Sequence, residues 1–154
     1  MSCAALTAAS VLWFAVLPAQ AAPAPAPALM AASAVSPLAS EPLFADIIGR
    51  AGALRAELAG WKGREVSPAE MAAFEGRARE LAALDMKGHF LLAERGTDGD
   101  LKCILKGIAE DIPLKLDAVA GARDARARDA AITDLDYLLR DNVEVIEAPP
   151  APPA

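Results

Sequence analysis

LKCILKGIAEDIPLKLDAVA, residues 101 to 120, decides the architecture, because Pro113 stands in its middle. A proline inside a helix removes a backbone donor and crowds the carbonyl four residues back, so it can divide one helix into two. Here the apolar residues on either side keep one phase. Leu101, Ile104, Leu105, Ile108, Ile112, Leu116 and Val119 recur at three- and four-residue steps, and the stripe runs past the proline without a shift. Two separate helices would have no reason to share a register. The spacing predicts a single kinked helix that ends near Gly121. Thr97 is placed to cap its start, and Asp100 sits where an acid favours the positive helix end.

Upstream, Val66-Ser67-Pro68-Ala69-Glu70-Met71 is the clearest local signal in the chain. Ser67 offers a cap, Pro68 the first helical position, and Glu70 the reciprocal bond of a capping box, flanked by Val66 and Met71 as a hydrophobic staple. From Pro68 the helix should reach about Glu94 and stop at Gly96, with Met71, Phe74, Ala78, Leu81, Ala82 and Leu92 on one face. An earlier helix is expected over Glu41 to Trp61, capped by Ser40. Leu43, Phe44, Ile47, Ile48, Leu54, Leu58 and Trp61 turn inward. Downstream, a fourth helix runs from about Asp124 to Ile146, with Ile132, Leu135, Leu138, Leu139, Val143 and Ile146 inward. Four such rods of about 20 to 27 residues, roughly 30 to 40 Å long, joined by short loops, pack up and down in turn. The expected class is all-α, a small up-down-up-down four-helix bundle over residues 41–147 with flexible Ala/Pro-rich ends.

The flanking segments differ sharply in composition. Residues 1–40 carry no charged side chain, and all 15 Lys and Arg and all 21 Asp and Glu fall between Glu41 and Glu147. Residues 1–21 hold an apolar run ending at Pro18 and then Ala19-Gln20-Ala21, the pattern of a secretory signal peptide cleaved after Ala21, although no Lys or Arg precedes the run. An uncleaved anchor needs about 20 apolar residues, more than this run supplies. Residues 22–40 read as an Ala/Pro-rich linker and residues 148–154 as a Pro-rich disordered tail. The expected location is periplasmic or secreted.

The charged region gives a net charge of −6 and has no dense basic cluster, which sets nucleic acid aside. Cys3 leaves with the leader, so Cys103 stands alone, against a disulfide scaffold or a zinc site. Cys103 lies off the main stripe, where it reads as a small buried hydrophobe or as a thiol for an intermolecular disulfide. Asp98-Gly99-Asp100 resembles the opening of a calcium loop but lacks the later ligands, so capping explains it better. No phosphate loop, Ser-His-Asp set or paired acids facing a cleft can be read.

His89, the only histidine, falls on the inward sector of the second helix four residues after Asp85, close enough for their side chains to meet. One reading is a buried Asp85–His89 hydrogen bond that satisfies both groups; in that reading neither residue binds a cofactor. The other is a haem or copper ligand at His89, assisted by Met86 and oriented by Asp85. A break at Gly88 would turn His89 to solvent. The last two helices resemble, in apolar rhythm, the b-type and c′-type four-helix cytochromes. The resemblance implies a bundle able to hold haem, but this chain has no Cys-x-x-Cys-His and no histidine in the fourth helix. The expectation is an exported, non-catalytic bundle without cofactor or metal that acts on an unknown protein partner, on itself or on the envelope, without stable insertion into a membrane. A haem or copper carrier is the alternative.

Overall fold

The computed structural model describes residues 35–96 and 99–150. Four helices follow in chain order: α1 (Pro42–Ala59), α2 (Pro68–Glu94), α3 (Leu101–Ala120) and α4 (Ala125–Glu147). No strand occurs among the described residues. Each helix packs on the next, α4 returns against α1, and α1/α3 and α2/α4 are the two diagonal pairs. The bundle is therefore up-down-up-down, as the apolar stripes require.

The local signals explain most boundaries. At α2 the capping box is complete: Ser67 Oγ accepts from the Glu70 amide, and the Glu70 carboxylate accepts from the Ser67 amide. The helix then runs unbroken through Gly88, and Gly96 takes the left-handed conformation (φ 62°) that ends it. α3 passes through Pro113 as one helix, with Leu101, Leu105, Ile108, Ile112, Leu116 and Val119 buried. Asp124 caps α4 by accepting from the Ala127 amide. Thr97, expected to cap α3, lies outside the described residues, and so do the leader, residues 22–34 of the linker and residues 151–154 of the tail.

The start of α1 differs from expectation. Ser40 does not cap it; its hydroxyl donates to the Pro37 carbonyl instead and closes a short 3-10 helix, Pro37–Ser40. Leu38 and Ala39 of that turn pack against the core, so the bundle begins before residue 41. Two apolar side chains at the entry are enough to fold the last residues of the linker back. Trp61 lies just beyond α1, not within it, and is buried with its ring centroid 4.7 Å from that of Phe74.

The entry to the bundle at Ser36 and its exit at Glu147 meet at one pole. The Ser36 amide donates to the Glu147 carbonyl at 2.7 Å. Arg95, past the end of α2, donates to both carboxylate oxygens of Glu41 at the start of α1, at 3.0 and 2.8 Å. At the other pole Arg128 on α4 reaches Glu65 in the α1–α2 loop.

Candidate functional site

The core contains two polar residues among the described ones, Asp85 and Asn142, each with no exposed surface. Asp85 sits on the apolar stripe of α2. Asn142 sits on that of α4, three residues after Leu139 and four before Ile146. Its Nδ2 donates to Asp85 Oδ2 at 2.8 Å. Because α2 and α4 are diagonal partners, this bond crosses the centre of the bundle. Burial pushes the Asp85 carboxyl up to about 7, against the pull of the Asn142 bond. Two oxygens of the pair, Asp85 Oδ1 and Asn142 Oδ1, are buried without a hydrogen-bond partner.

The expected Asp85–His89 pairing is thus corrected. Residues four apart on a helix can meet, but an amide from α4 reaches Asp85 through the core. His89 turns toward α3 instead, and its Nδ1 lies 2.6 Å from the Lys102 carbonyl. A carbonyl only accepts, so Nδ1 carries the hydrogen. The ring is half-buried and rests against Phe90 with centroids 5.1 Å apart. Met86, one turn back on the same helix, is half-buried. Haem or copper ligands drawn from these two would come from a single helix, with Asp85 already engaged elsewhere. Among the described residues no group of three or more His, Cys, Asp or Glu gathers to hold a metal.

Cys103 is a free thiol and is exposed, which corrects its reading as a buried hydrophobe. Its side of α3 points away from the stripe.

Two surface depressions merit description. One, of about 270 Å³, lies at the pole where Ser36 meets Glu147, between Leu38, Leu92, Arg95, Leu101 and Pro149. The other, of about 290 Å³, runs along the α3–α4 seam and is lined by Asp111, Lys115, Asp134, Tyr137, Leu138 and Asp141. Lys115 reaches Asp134 at 3.5 Å and Arg140 reaches Asp141 at 3.7 Å, which leaves Asp111 as the excess negative charge. Tyr137 is 56 % exposed, and the Arg140 guanidinium lies 4.5 Å from its ring centroid. Neither depression is lined by Asp85, Asn142 or His89.

Sequence reasoning missed Asn142. The signal was available: a polar residue in phase with Leu135, Leu139 and Ile146, on a helix opposite another stripe interrupted by an acid. No family model, curated protein or solved structure matches this chain.

Proposed function

We propose that this chain is an exported, non-catalytic helical-bundle protein that acts by binding a protein or envelope partner at its surface. The observation that carries the reading is the α3–α4 seam. Leu138 and the half-open Tyr137 supply apolar contact there, and Asp111, outside the Lys115–Asp134 and Arg140–Asp141 pairs, leaves it negative. Exposed aromatic area within a charged rim is the chemistry of a protein contact. Leu114, 63 % exposed on α3, adds to the apolar surface of that helix. The complementary partner carries basic and apolar side chains together. No helix among the described residues is long and apolar enough to cross a membrane. Export rests on residues 1–21, and the Ala/Pro-rich segments serve as spacers.

Photo-crosslinking in the native cells tests the contact, with the reactive group placed at Tyr137 and, as control, at Glu80 on the α1–α2 side. A discrete adduct from Tyr137 alone is expected; equal labelling from both positions removes the proposal. Sequencing the amino terminus of the mature chain tests export, and a start at Ala22 is the expected result.

A further inference from the structure

We propose that Asp85 and Asn142 form a proton-operated lock across the bundle: one proton held between Asp85 Oδ1 and Asn142 Oδ1 closes a cyclic acid–amide pair, and its release to solvent loosens the tie between α2 and α4. The inference is independent of the proposed surface contact.

The geometry supplies the argument. A carboxyl and a carboxamide are already joined through Asn142 Nδ2 and Asp85 Oδ2 at 2.8 Å. Each keeps one oxygen, and each of those oxygens is buried and unpartnered. Two acceptors cannot bond to each other, and buried polar atoms are rarely left unpaired. A single proton on the Asp85 oxygen turns it into a donor and satisfies both atoms in one step. It also removes the anion from an apolar interior, where a lone carboxylate is strongly disfavoured.

Among the described residues no charged group acts on Asp85, whose carboxyl is moved only by burial and by the Asn142 bond. On the buried faces of α1, α3 and α4, Asn142 is the only polar side chain among the described residues. In the seams of those helices the half-buried Arg55 pairs with Asp136 and the half-buried Lys115 with Asp134. One turn further along α2, His89 faces the Lys102 carbonyl through Nδ1, and Lys87 is exposed.

The direction of the pH effect follows. A carboxyl raised from 3.8 to about 7 holds its proton more firmly in the fold than in the unfolded chain. Its stabilisation is complete below the lower value and is lost as pH rises through the upper one.

Thermal unfolding of the full chain followed by circular dichroism, in steps from about pH 5 to pH 8, tests the lock. The midpoint of the natural chain should fall by several degrees across that window and then level off. Asp85→Asn, which keeps the shape of the neutral acid, should flatten the curve and unfold at a higher temperature than the natural chain at the alkaline end. His89 is common to both proteins, so its contribution cancels in the difference. A natural curve that is flat or rising, or equal slopes in the two proteins, overturns the proposal. Should Asp85→Asn fail to fold, carbon NMR of the natural chain decides. The Asp85 carboxyl signal and the Asn142 side-chain amide should move together with one midpoint near 7. A carboxyl ionised throughout, as a bridging water would leave it, or an amide that does not respond, overturns it.

Discussion

Two carboxylates on α2, one at its start and one in its middle, are moved in opposite directions by the same fold. Glu70 stands in solvent, where the Arg64 guanidinium and then the Ser67 amide donate to it and draw its carboxyl down to about 2. Asp85 stands in the core, where burial pushes it up to about 7. Donors favour the anion and lost water disfavours it, so one chemical group serves as a charged cap at one place and a neutral tie at another. The surroundings, not the residue type, set the role. Between the two lies Phe74, which binds the helix to the rest of the bundle by apolar contact alone.

That contrast can be tested from its strongest element down. Phe74→Ala should cost the most, about 3–5 kcal/mol in urea unfolding, because the ring is fully buried against Trp61. Asn142→Ala comes next, at about 1–3 kcal/mol near neutral pH, since it strands a buried carboxyl. A loss that shrinks as the pH is lowered would break the contrast with Glu70, because the proton closes the tie between Asp85 and Asn142. Ser67→Ala removes half of the capping box and should cost about 1 kcal/mol. Gly76→Ala, on an open face with nothing within 4 Å, should stabilise by about 0.5–1 kcal/mol. Gly88→Ala should act in the opposite sense, because its Cβ would stand 3.1 Å from Leu105 Cδ1 and 3.2 Å from Phe44 Cε1.

The pH profile sharpens the same point. A lowered carboxyl contributes stability above its ordinary value of 4.5, and that contribution is lost as pH falls toward the folded value. Asp85 works in reverse. Stability measured across pH should therefore decline on both sides, with Glu70→Gln flattening only the acid limb and Asp85→Asn only the limb approaching neutrality.

What could be read from the residues divides along a physical line. Helix periodicity is local, so the stripe through Pro113 and the box at Ser67 place α3 and α2 without any knowledge of neighbours. Contacts between distant residues are not local. The inward position of Asp85 followed from its phase, but the choice between His89 and Asn142 depended on which helix lies diagonally opposite, and no spacing within α2 carries that. The exposed side of Cys103 likewise depends on where the neighbouring helices stop covering α3. At the entry, Ser40 had the chemistry of a cap, yet the packing of Leu38 gave its hydroxyl to Pro37.

The bond between the Ser36 amide and the Glu147 carbonyl has a consequence for the order of the chain itself. With entry and exit a hydrogen bond apart, a few glycines would suffice to join residue 36 to residue 148. New ends could then be opened in the exposed turn at residues 62–65, producing a circular permutant with the same interior. Such a rearranged chain would keep the diagonal tie intact while separating the order of synthesis from the order of packing.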